Sequence, residues 1–319
     1  MGTLTAFPFG VSSFGAPLVG DASIPTGPRT SAQPGGNVWF VDANNPGAHD
    51  GMSPATAFLT ITQAVAAAAS GTGDTIFVFP GTYAENVVVT KDYISIIGCV
   101  FAGYAKPDIG KTGGRGITVT AQGFRAKHCR FFSNDNNSAV HQTGNGFEYV
   151  DCVFDGNGTQ TTGGCVRLIP SNLLTGQTAS EGEIHGCYFR GTSSTIGAII
   201  MDTSNLNGGS TDNKIYNNIF TQNTGPDIGT QKSGAAGTYS VQFTNIYGNQ
   251  FVDKIKATYI DITTNEDGAA ANQKGSINGN YFANDSAPMT TTQIKMVGTG
   301  FTFSGNYNTS GVVVGSALD

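Results

Sequence analysis

The sequence predicts an all-β solenoid, a chain wound into coils that stack with their strands in parallel. Three observations lead there. A six-residue unit recurs along the chain with the same residue types at the same places, and a turn-forming residue inside each unit bends the strand. The composition removes the competing classes: charged residues are 12% of the 319, about half the usual share, and glycine occurs 45 times.

At 39% hydrophobic the chain can sustain a core, so charge-driven disorder is excluded. The net charge is −6 and no Lys/Arg cluster is present, so no nucleic-acid partner is expected. No apolar run approaches the roughly 18 residues of a bilayer span, so no membrane partner is expected. The opening MGTLTAFPFG lacks a basic segment followed by an apolar one. No signal peptide is expected, and synthesis in a cytoplasm is.

Residues 1–37 read as an extended arm, with Pro8, Pro17, Pro25, Pro28 and Pro34 among glycines and serines. Phe7, Phe9 and Phe14 are its large apolar anchors. They are costly to leave in water, so they are the candidate partner-binding residues of a segment that orders on a partner. Residues 38–95 read as an N-terminal cap. It opens with a strand in WFVDA, then a helix over Thr60–Ser70, where Thr60 and Gln63 have capping-box spacing and Ile61, Ala64, Val65 and Ala68 recur at helical intervals. A first coil follows, with strands at Thr75–Phe79 and Asn86–Thr90 and a turn at Pro80-Gly81.

Residues 96–308 carry the repeats: IIGCVF, AKHCRF, YVDCVF, IHGCYF, IYNNIF, IYGNQF, INGNYF and FSGNYN, spaced 23 to 35 residues apart. Position one is Ile96, Ala126, Tyr149, Ile184, Ile215, Ile246, Ile277 and Phe303; position six is Phe from Phe101 to Phe282 and then Asn308. These positions have opposite parity, so an unbroken strand would send them to opposite faces. Position three is Gly98, His128, Asp151, Gly186, Asn217, Gly248, Gly279 and Gly305, types that tolerate positive φ. A bend there turns both apolar positions into one interior. Residues 309–319 form a tail in which Val312–Val314 reads as a final strand, pairing with the last coil or with another subunit.

Position four is Cys99, Cys129, Cys152 and Cys187, then Asn218, Asn249, Asn280 and Asn306. Because the row continues as Asn without breaking the pattern, the cysteines are expected to be small, buried, reduced fillers. No Cys-x-x-Cys pair is present, and neither a metal nor a cofactor is expected.

With its asparagine row and the segment GDTIFVFPGTYAENVVV, the chain from Val38 to Asn308 resembles the right-handed parallel β-helix, or pectin-lyase-like, superfamily. The resemblance implies a right-handed single-stranded parallel β-helix with a short capping helix. Activity is left open, because the scaffold hosts many. An arm before the rod makes the chain most like bacteriophage virion proteins of this fold, either capsid decoration (cement) proteins or tail spikes. That likeness implies a virion location, a homotrimer of rods side by side, and a major capsid protein or other virion protein as partner.

The same resemblance prompts a search for chemistry. Glycoside hydrolysis usually needs two carboxyl groups within about 5 to 10 Å. Aligning later strands on Val140, Val166, Ile200, Ile228, Ile260 and Ile294 gives an outward row of His141, Arg167, Met201, Gly229, Asp261 and Lys295. One acid in six is not a catalytic row. A tail spike that binds or cleaves a surface polysaccharide, as lyase or hydrolase, would have to use Asp202, Asp261 and Arg167, with Tyr259 nearby. The catalytic glutamine, aspartates and Trp-Gly-Arg segment of pectin methylesterases have no counterpart here. The four histidines fall at unrelated places, and Asn265-Glu266-Asp267 reads as a solvated loop tip. The expectation is a non-catalytic protein.

Overall fold

A computed structural model describes residues 36–100, 106–133, 136–156, 162–169, 179–202, 210–231, 241–254, 256–262, 274–283, 293–296, 300–309 and 311. Phe7, Phe9 and Phe14 of the arm, Phe101, the loop tip at 265–267 and Val312–Val314 lie outside the described residues.

Each coil contributes one short strand to each of three sheets, of ten, nine and eight strands, and every pairing is parallel. The first sheet takes position one of each unit, from Val38–Val41 through Thr75–Val78 and Ser95–Gly98 to Phe301–Ser304. The second takes position six, and the third takes the strands that include Val140–Gln142, Val166–Leu168 and Ile199–Asp202. Such a rod has its core in rows. Phe131, Phe154, Phe189, Phe220, Phe251 and Phe282 pair in sequence, with ring centroids 4.7 to 5.6 Å apart. At the start of the column Ile109 pairs with Phe131, at the place the alignment of units gave to Phe101. Where position one shrinks to Ala126, the next coil supplies buried Tyr149, whose hydroxyl donates to Gln142 Oε1 at 2.8 Å.

The bend forms as the residue types require, with φ between 50° and 65° at His128, Asp151, Gly186, Asn217, Gly248, Gly279 and Gly305. Gly98 departs from this: it ends an extended strand, and a Cβ there would lie 2.3 Å from the His128 carbonyl oxygen. Glycine at 98 therefore answers close backbone approach rather than turn geometry. A second left-handed column precedes the first sheet at Tyr93, Gly123, Gly146, Glu181, Asp212 and Phe243. Its mixed residue types hide it in the sequence.

Beside the first bend the asparagines form a ladder. Asn249 Oδ1 accepts from both the backbone and the side chain of Asn218 at 3.0 Å, and Asn280 and Asn306 repeat the arrangement at 2.9 to 3.0 Å. All five cysteines are free and buried. Cys187 Sγ takes the asparagine's place by accepting from Cys152 N at 3.4 Å.

The helix covers the core at the first coil and is shorter than expected, Ile61–Ala67 instead of Thr60–Ser70. Thr60 and Gln63 make the capping box, and the Glu85 carboxylate accepts from the Ile61 and Thr62 amides. The early stop comes from outside the helix: Lys91 Nζ donates to the Ala66 and Ala68 carbonyls, and Asp74 takes the Ala69 amide at 3.0 Å.

Candidate functional site

The sequence points to the outer face of the third sheet, and the register there differs from the expected one. Val166 pairs with Ile199, so Ile200 lies beside Arg167 and Met201 beside Leu168. The residues of outward parity are His141, Arg167, Ile200, Gly229, Asp261 and Lys295. Met201 leaves that row for the core, where it is fully buried.

Arg167 and Asp202 come together. Nη2 and Nε of Arg167 donate to Asp202 Oδ2 at 2.6 and 3.1 Å, with the Asp202 side chain only 1% exposed. Asp261 lies two coils further on, about 10 Å along the axis at ~4.8 Å per coil, and in a different row, since in the intervening coil Asp202 pairs with Gln231 and Asp261 with Gly229. Its carboxylate faces Lys295 Nζ at 3.5 Å. Burial, together with the charges of Arg115 and Arg167, pushes His141 down to about 4, so at neutral pH it is an uncharged ring. Tyr259 is not an exposed aromatic: it is fully buried, edge-on to Phe251 and Phe282, and its hydroxyl donates to the Asp253 carbonyl at 2.6 Å. The three candidates are thus divided between two ion pairs, and Asp202 is closed to a ligand while Arg167 holds it.

The same use of charge recurs around the rod. Arg125 pairs with Glu148 at 2.6 Å, Arg130 with Asp108 at 3.0 Å, Arg190 with Asp155 at 3.0 Å and Lys214 with Glu183 at 2.7 Å. Each joins register neighbours on adjacent coils. Inside, Lys256 Nζ meets Asp227 Oδ1 at 2.5 Å, both side chains 3% exposed or less. Burial raises the Asp227 carboxyl to about 6 despite that partner, and its Oδ2 has no hydrogen-bond partner. The histidines are locally engaged: His49 with the Ala57 carbonyl, His128 with Asp151 and His185 with Glu148. Among the described residues no group of three His, Cys, Asp or Glu side chains is placed to hold a metal ion.

Sequence reasoning passed over the outer face of the first sheet. Position two of the units carries His185, Tyr216, Tyr247 and Asn278 as register neighbours, and the rings of the first three stack. The signal was present in IHGCYF, IYNNIF and IYGNQF as a shared aromatic second residue.

No protein-family model and no curated protein matches the chain. Solved structures do. A pectin methylesterase from Aspergillus niger in deglycosylated form has 11% identity and a TM-score of 0.47, covering 91% of this chain and 90% of that one. Pectate lyase Pel9A has 13% identity and a TM-score of 0.45, covering 86% and 80%. The Dettilon tailspike protein has 13% identity and a TM-score of 0.36, covering 85% and 61%. Three sheets paired in parallel from coil to coil make the chain a parallel β-helix, right-handed as parallel crossovers are. At these identities and TM-scores the matches assign no activity.

Proposed function

We propose that this β-helix is a non-catalytic structural protein of a bacteriophage virion, a homotrimeric rod that decorates the capsid and is anchored by its arm. The observation that supports this reading is where the charges go. Carboxylates of the third sheet's outer face are held in ion pairs, and pairs on the other sheets run from coil to coil. This arrangement reinforces a rod and engages both Asp202 and Asp261, the acids that glycoside chemistry on this face would use. Val88, Tyr93, Phe243 and Val252 are 41% to 54% exposed, and close association of rods would cover such residues.

Mass measurement in solution tests the trimer, and deletion of residues 1–36 tests the anchor. The full chain is expected to be trimeric and to bind particles, and the truncated chain to fold as a trimer that no longer binds. Full occupancy by the truncated chain would remove the arm from its role. The competing reading, a tail spike that cleaves a surface polysaccharide, is decided by incubation with acidic and neutral polysaccharides. Reducing ends or unsaturated product, lost in Asp202→Ala or Asp261→Ala, would end the non-catalytic reading.

A further inference from the structure

The aromatic stack on the first sheet spans three coils, from His185 to Tyr247, and gives way to Asn278 and Ser304 in the next two. His185 and Tyr216 lie ring on ring at 4.6 Å and 7°, and Tyr216 and Tyr247 at 4.9 Å and 2°. The next coil places Asn278 opposite Tyr247. One face of the Tyr247 ring is therefore left uncovered by the stack, and Tyr247 is 36% exposed. That face borders a cleft of about 560 Å³ rimmed by Lys214, Asn245, Ser276 and Asn278.

The low wall of the cleft has a cause in the backbone. Gly248 and Gly279 occupy the left-handed column at φ 65° and 63°, where earlier coils carry the side chains of Asp151 and Asn217. A Cβ built on Gly279 would meet nothing within 4 Å. The rim is also oriented: Ser276 Oγ donates to Asn245 Oδ1 at 2.7 Å, and Ser304 Oγ donates to Asn278 Oδ1 at 2.9 Å. Asn278 lines the cleft with its oxygen already engaged, so its amide nitrogen is the group left to donate. Lys214 Nζ is held at the edge by Glu183 at 2.7 Å.

We propose that this cleft binds one pyranose ring of a carbohydrate, laid against the uncovered face of Tyr247. A pyranose matches both halves of the site. Its C–H face suits the negative π-face of the tyrosine, and its ring-edge hydroxyls suit amide, hydroxyl and ammonium groups on the rim. The cleft is shallow and open, with an aromatic wall and a few placed polar groups, which suits one ring held by a single face. The inference requires neither a trimer nor a virion. It also lies on a different sheet from Asp202 and Asp261.

The test uses the intact protein and the methyl glycosides of glucose, galactose, N-acetylglucosamine, rhamnose and glucuronate, followed by saturation-transfer NMR. At least one is expected to bind with a Kd of about 1 mM, and Tyr247→Ala is expected to weaken it about tenfold or more. Two variants preserve the fold while closing the cleft. Gly279→Asn places an amide where Asn217 already shows that asparagine adopts this φ. Asn278→Tyr extends the stack by one ring. Both are expected to keep the melting temperature and abolish binding, whereas Tyr247→Phe, which retains the ring, keeps it within about twofold. Failure of every glycoside to bind, unchanged binding in Asn278→Tyr, or tighter binding of adenosine than of any glycoside would each overturn the proposal.

Discussion

Asn280 shows how much one buried polar side chain does in a solenoid. Its Oδ1 takes two donors from Asn249, while its Nδ2 donates to Ile246 O and to Asn306 Oδ1. Asn280→Ala leaves the buried Asn249 amide without that acceptor and is expected to cost about 3 kcal/mol in urea unfolding. Cys187→Asn should do the reverse. It replaces a 3.4 Å bond to sulfur with the oxygen acceptor used in the next four coils, so a gain of about 1 kcal/mol is expected. A loss instead would mean that the cavity at 187 is shaped for sulfur.

Two ionisable residues set opposing pH responses. Asp227, faced by Lys256, Asn223 and Asp253, has a folded-state value of about 6 against 3.8. Between those values the native state holds a proton that the unfolded chain lacks, so this group's contribution to stability falls as pH rises. His141, faced by Arg115 and Arg167, has about 4 against 6.5. There the unfolded chain holds the extra proton, and stability rises with pH. Urea midpoints from pH 4 to 6 should therefore climb more steeply with pH in Asp227→Asn than in the parent, and less steeply in His141→Gln. Parallel curves for all three would refute both assignments.

At the scale of elements, the capping helix depends on one carboxylate more than on its own sequence. Asp74 accepts from Asn37 N, Trp39 Nε1, Ala69 N and Thr72 Oγ1 at 2.6 to 3.0 Å. Burial opposes its charge, but these donors, Thr72 foremost, hold the carboxyl below its ordinary value. The group therefore joins the entering strand, the end of the helix and the first coil. Asp74→Ala is expected to destabilise the protein by about 3 kcal/mol and to red-shift emission from Trp39, the sole tryptophan. An unchanged spectrum would show that the cap stays docked without it.

Across the whole molecule, stability is a sum over coils and their nearest neighbours. The described first coils are covered by the helix, and Ile76 and Ile96 are fully buried. In the last described coil Phe303, in the same row as Ile277, is only partly buried, and Thr302 and Ser304 are exposed. Opening is expected to start there. Amides of Phe301–Ser304 should exchange hydrogen well before those of Ser95–Gly98, and uniform exchange along the rod would contradict additive coils.

The sequence by itself determined the winding of the chain, the phenylalanine column, the asparagine row and the left-handed bend at position three. A coil interior asks for a similar side chain at the same place in each turn, so most units restate the same constraint, and Phe154 predicts Phe189. Tertiary structure alone decided the parity at Ile199, because Ile199, Ile200 and Met201 are all apolar and period two cannot choose among them. It also decided which charges are engaged, since partners come from neighbouring coils, 23 residues away for Arg125 and Glu148 but 35 for Arg167 and Asp202. Loops of unequal length make those separations irregular, and backbone hydrogen bonds between coils, invisible in any single unit, set the register that brings the partners together.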